Sequence, residues 1–207
     1  MATFPDPPSK VQLRAIGEDI TTLPAGEKLW RVYFRGGPHP TTWNNFRKYG
    51  PTNSRFDHQT HPKRVQQRAI IYLAEDGPTC IAEVFQDTRT IDRLRNNPWI
   101  VRFETMRDVQ LLNLTNLWPT KAGASMAINS GSKAKDRKWS KAIYSAYPNV
   151  EGLLYGSAMH ANQLAVAFYD RAETAMPVTP AFNRALVDPG MITVLSNAAV
   201  KLNYILI

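Results

Sequence analysis

Cys80 is the only cysteine in a chain of 207 residues, so an internal disulfide is excluded and a reducing compartment suits the protein. No apolar run approaches the roughly 20 residues that span a bilayer. The first residues, Met-Ala-Thr-Phe-Pro-Asp-Pro-Pro, have neither the basic start nor the apolar stretch of a signal peptide, and a cytoplasmic protein is the expectation. Several motifs are missing too. There is no Gly-x-Gly-x-x-Gly after a strand, no phosphate-binding Gly-Lys-Ser/Thr loop, no Gly-x-Ser-x-Gly elbow and no pair of cysteines. His58 and His61 lie close together but lack a third ligand at usable spacing, so a solvated loop and no metal are expected there. The absence of a helix-turn-helix or leucine zipper argues against standard DNA recognition.

What is present is the composition of an ordinary globular protein, with 43% hydrophobic and 20% charged residues. The length suits one substantial core, hence one domain. A net charge of +8 attracts polyanions, phosphorylated metabolites or an acidic protein partner without choosing among them. The densest basic cluster, Lys133, Lys135, Arg137, Lys138 and Lys141, falls in one expected helix, where a solvated face explains it as well as nucleic-acid binding does. Neither composition nor motif decides between a monomer and a homo-oligomer.

Along the chain, residues 1–26 carry Pro5, Pro7, Pro8, Pro24 and Gly26 and read as an N-terminal arm with at most one short turn, leaving 27–207 as the domain. Leu29 to Phe34 reads as a strand that ends at Gly36, Gly37 and Pro38, with Leu29, Arg31 and Tyr33 on one face. Residues 38–64 form a long loop, of the kind that is often functional. Ala69 to Ala74 reads as a buried strand. A short helix follows, with Pro78 in its first turn, Ile81, Val84 and Phe85 on the apolar side and Glu83 pointing away from it. Strands are expected at Trp99 to Glu104 and Val109 to Leu114, and a helix capped by Asn116. A basic helix from about Asp136 to Tyr147 turns Trp139, Ile143 and Tyr147 inward. Strands at Gly152 to Ser157 and Leu164 to Arg171 follow. The last residues suggest a helix with Ile192, Leu195 and Ala199 inward, then a strand from Leu202 to Ile207. Strands and helices interleave irregularly, which points to an α+β domain rather than a doubly wound sheet.

A lone glutamate such as Glu83 is ordinarily a solvated surface charge. Its sequence context, however, is similar to a known family. Trp30-Arg31-Val32-Tyr33, Ser54-Arg55-Phe56-Asp57, Tyr72-Leu73-Ala74, Ala82-Glu83-Val84-Phe85-Gln86-Asp87 and Gly152-Leu153-Leu154-Tyr155-Gly156-Ser157 occur in the order and at roughly the intervals of the RES domain family. The chain departs from one form of that family in reading Tyr-Gly-Ser-Ala around Ser157 instead of Val-Pro-Ser, and in lacking an evident counterpart of a downstream asparagine. The resemblance implies a toxin-like bacterial enzyme that destroys NAD+ as substrate, with no cofactor and often with an Xre-type antitoxin as partner. It also implies a fold similar to ADP-ribosyltransferases, a central, mostly antiparallel sheet flanked by helices. The family's residues would fall on Arg31, Arg55, Tyr72, Glu83 and Ser157, with Glu83, Arg31 and Ser157 catalytic and Arg55 and Tyr72 binding substrate.

These residue types fit cleavage of a nicotinamide–ribose bond. A planar guanidinium grips pyrophosphate oxygens with parallel hydrogen bonds, a role open to Arg31 and Arg55. Positive charge develops on the ribose as the bond stretches, and an ionised Glu83 stabilises it. Tyr72 offers a stacking face and Ser157 a small orienting hydroxyl. Water or inorganic phosphate then captures the ribosyl group. Two other readings stay open at this level: mono-ADP-ribosylation of a protein, which uses the same carboxylate chemistry, and a non-catalytic basic module for nucleic acid.

Overall fold

The computed structural model describes residues 4–207. It begins with α1 (Lys10–Ile16), opened by a capping box between Ser9 and Gln12, and β1 (Ile20–Leu23). Then come β2 (Lys28–Phe34), β3 (Arg47–Gly50), β4 (Arg64–Ala74) and α2 (Gly77–Val84). The middle of the chain forms β5 (Thr90–Ile91), β6 (Pro98–Glu104), β7 (Val109–Asn113), α3 (Trp118–Lys121) and α4 (Lys133–Ala146). It closes with β8 (Gly152–Gly156), β9 (Leu164–Tyr169), β10 (Phe182–Ala185), α5 (Ile192–Leu202) and β11 (Ile205–Leu206).

Nine of these strands share one sheet in the order β1-β7-β8-β9-β4-β2-β6-β10, with β3 added beside β4. Within it only β7 and β8 run parallel, so the domain is α+β with a mostly antiparallel sheet flanked by helices. β5 and β11 form a separate small pair. The sheet is nearly divided at one seam. β4 and β9 are matched over five residues and β2 and β6 over seven, yet β2 meets β4 only at Trp30 and Ala74. Beyond that point the strands part, and the Val32 N–H donates to the Cys80 Sγ of α2 at 2.9 Å instead of to a neighbouring strand.

Period-two alternation sorts the side chains to the two faces. On one face Ile70, Leu153, Tyr155, Ala167 and Tyr169 pack against Trp139, Ile143 and Tyr147 of the α4 region, with Leu13 of α1 in the same cluster. Farther along that face, Val32, Ala74 and Ile100 pack against Cys80 and Ile81 of α2 and Leu195 of α5. The opposite face carries Leu29, Ile71, Leu73, Phe103, Val166 and Phe168, covered by Trp43, Phe46 and the 3-10 turn at Asp170–Ala175. Two helical groups thus share one face of the sheet.

Several sequence expectations change. Residues 1–26, read as an arm with at most one turn, hold α1 and β1. Leu13 is fully buried, and β1 pairs with β7 as an edge of the sheet. The long loop contains β3. The short strands β1, β3, β5 and β10 have too few alternating apolar residues to announce themselves, and partner strands hold them in place. Asn116 caps nothing: α3 begins from Leu117 without a side-chain cap. Ile192 at the start of α5 is exposed, whereas Leu195 and Ala199 are inward as expected. The final strand shortens to β11. Among the described residues no helix is long and apolar enough to cross a membrane.

Candidate active site

α2 is placed by its own N-terminus. The Asp76 carboxylate accepts from the Thr79 N–H at 2.6 Å, Pro78 occupies the first turn, and Cys80 and Ile81 are buried beneath. Thr79 and Glu83 stand one turn apart on the same side of the helix, and both are held by the turn after β8. The Thr79 hydroxyl meets His160 Nδ1 at 2.7 Å, and the buried Ser157 hydroxyl donates to Glu83 Oε1 at 2.5 Å. The Met159 N–H in turn donates to the Ser157 oxygen, which fixes the hydroxyl's direction. Glu83 is therefore a half-buried, oriented carboxylate rather than a freely solvated one, and its Oε2 has no hydrogen-bond partner among the described residues.

Residues 52–57 form the facing wall, and two buried carboxylates hold it. Asp57 accepts from Arg47, from the Thr52 N–H at 2.6 Å, from the Thr52 hydroxyl and from the Tyr72 hydroxyl at 2.9 Å. Burial alone would raise the Asp57 pKa, but the Arg47 bond and charge outweigh it and keep it below the ordinary value. The Tyr72 hydroxyl also accepts from the Phe56 N–H, and burial followed by the Asp57 charge lifts its pKa well above normal. Arg55 is anchored through Nη1 to the Gly131 carbonyl at 3.0 Å and to Asp136 Oδ2 at 2.5 Å.

Between these walls lies a cavity of about 570 Å³ lined by Arg55, Lys63, Tyr72, Glu83, Lys133 and Tyr155 among others. Both tyrosines project from the same face of the sheet, Tyr72 from β4 and Tyr155 from β8. Arg55, Tyr72 and Glu83 are thus brought together, with Ser157 directly behind Glu83. Arg31 is not among the lining residues. Strand alternation sends it to the opposite face with Leu29 and Tyr33, where its Nη1 donates to the carbonyls of Thr42, Trp43 and Asn45. Burial lowers its pKa to about 10, so it remains charged at neutral pH while it ties down that loop.

His58, expected in a solvated loop, is fully buried against Tyr144 and Tyr169, with Nε2 at 3.2 Å from Asp170. Among the described residues no three metal-ligating side chains gather. Cys80 borders the cavity, but burial pushes its thiol up to about 12 and leaves it unreactive. The residues that sequence reasoning missed are Asp136, Tyr155, Lys63 and Lys133. Asp136 left one trace, as the lone acid within the basic run of α4; Lys133 lay in that run and Tyr155 in a family-like segment, and Lys63 left none.

A concave site with charged and aromatic groups converging on it, set in a mostly antiparallel α+β domain, is the layout of a small-ligand protein rather than of a flat binding surface. The sequence matches the RES domain family model over residues 28–187, and the chain belongs to that family. The fold is similar to that of a chain in the crystal structure of the M. tuberculosis MbcT-MbcA toxin-antitoxin complex, with a TM-score of 0.60 and 15% identity over 90% of this chain and 96% of that one. No curated protein sequence matches.

Proposed function

We propose that the chain is an NAD+-degrading enzyme that cleaves the nicotinamide–ribose bond, acting as the toxin of a toxin–antitoxin pair whose antitoxin is of Xre type. The observation that carries this reading is the Glu83 carboxylate, with one oxygen fixed by Ser157 and the other free beside a cavity of about 570 Å³ that also offers a guanidinium and two aromatic rings. That volume lies within the roughly 300–1,000 Å³ usual for ligand pockets. Membership of the RES family and the likeness to a chain from a toxin–antitoxin complex support the same reading.

In this reaction the C–N bond breaks with its electron pair leaving on nicotinamide. Glu83 opposes the positive charge that grows on the ribose, and Ser157 keeps the carboxylate aimed. Arg55 holds the pyrophosphate, and the rings of Tyr72 and Tyr155 flank flat parts of the dinucleotide. Water as the second reactant yields ADP-ribose; inorganic phosphate yields its 1-phosphate ester. The test follows nicotinamide release from NAD+ with and without phosphate and identifies the ribosyl product. E83Q should lower turnover by at least roughly a hundredfold, as expected for loss of a charge that acts on the transition state. Full activity in E83Q, or no release by the wild type under either condition, would discard the proposal.

A further inference from the structure

Arg55 carries five N–H groups, and its environment uses only those on Nη1, which go to the Gly131 carbonyl and to Asp136. The Nε–Nη2 edge makes no hydrogen bond among the described residues, although Arg55 lines the cavity. Two parallel N–H groups on such an edge match two oxygens of a phosphate. Asp136, on the first turn of α4, is fully buried, and its Oδ1 has no partner among the described residues. A buried carboxylate costs several kcal/mol in lost hydration, and here its one ionic partner among the described residues is a guanidinium of the site.

We propose that Asp136 is a positioning residue: by holding Nη1 of Arg55 it presents the Nε–Nη2 edge to a phosphate of the ligand's pyrophosphate. This rests on the NAD+-degrading reading for the identity of the ligand. The charged groups that face Asp136 are Arg55 from the 52–57 wall and Arg137 from its own helix. Burial pushes its carboxyl up to about 7 against their pull, so it changes charge near neutrality. A phosphate arriving at Arg55 disfavours the ionised carboxylate behind it. Ligand binding therefore draws a proton onto Asp136.

The probe is ADP-ribose, whose pyrophosphate stays ionised throughout, with affinity measured by calorimetry on the full chain. D136L, which fills the space with an apolar group, should weaken binding about tenfold, R55A similarly, and the double variant no more than R55A alone. D136N, which keeps an oxygen for Nη1, should stay within about threefold of the wild type. Wild-type affinity should rise as pH falls from about 8 to 6, while D136N is flat over that range. If D136L does not fold, D136A takes its place in the same cycle with R55A. Parallel pH profiles would overturn the proton uptake, and multiplying effects in the double variant, or D136L within about twofold of the wild type, would overturn the role of Asp136. A wild type that binds no ADP-ribose also overturns it. A wild type that binds ADP-ribose but releases no nicotinamide from NAD+ overturns the enzymatic reading and leaves the role of Asp136 standing.

Discussion

Single hydrogen bonds decide what the site can do. Without Ser157 the Glu83 carboxylate keeps its place on α2 but loses the bond that sets its direction. S157A should lower kcat for NAD+ cleavage about tenfold, in line with a bond to a charged group worth ~1.5 kcal/mol or more, with a smaller change in KM. An unchanged kcat would show that Glu83 needs no such guide. Asp136 acts on stability as well. Its pKa is raised by folding to about 7, so its contribution is present in full below the ordinary aspartate range and is lost as pH rises through about 7. Asp57 and Asp170, whose values are lowered, contribute above that range and lose their contribution in acid. Urea unfolding of wild type and D136N across pH 4 to 8 should show wild-type stability falling relative to the variant as pH rises. A constant difference would mean that Asp136 has an ordinary pKa.

At the scale of elements, the site depends on how one short helix and one loop are fastened. α2 has eight residues, too few to be stable alone, so its position comes from packing of Cys80 and Ile81, the Asp76 cap and the turn after β8. D76A should cost ~0.5–2 kcal/mol in urea unfolding, the usual range for an N-cap. It should also lower kcat, because Glu83 rides on the same helix. A loss of stability with unchanged kcat would show that the Ser157 and His160 contacts suffice to place Glu83. The 52–57 wall lacks regular structure and is held by side chains instead, with Asp57 gathering Arg47, Thr52 and Tyr72 at its base.

For the whole molecule, the family match begins at residue 28 while the fold begins earlier. α1 packs on α4, the Tyr147 hydroxyl donates to the Leu13 carbonyl, the Trp118 indole N–H donates to the Gly17 carbonyl, and β1 closes one edge of the sheet. Removing residues 1–26 should therefore uncover the buried core beneath α4 and the edge of β7, and lower Tm by at least about 10 °C. A shortened chain that melts within a few degrees of the full one would reduce these residues to an appendage.

Local pattern was enough to find most of the strands, α2, α4 and the inward stripe of Trp139, Ile143 and Tyr147, because periodic burial is written into neighbouring residues. Glu83, Arg55, Tyr72 and Ser157 were legible through the RES-like segments in which they lie. The divergence between Arg31 and Tyr72 was not, since each strand's parity says only which residues share a face. Which face meets the cavity depends on how β2 and β4 join and on where the two helical groups settle. The partner of Arg55 was equally hidden, because Asp136 lies 81 residues away and only the packing of α4 brings it there. Alternation and helical period are properties of a few consecutive residues, so the sequence alone determined them. A site assembled from a helix, a loop and two strands is a property of their mutual placement, which the burial of one shared core decides.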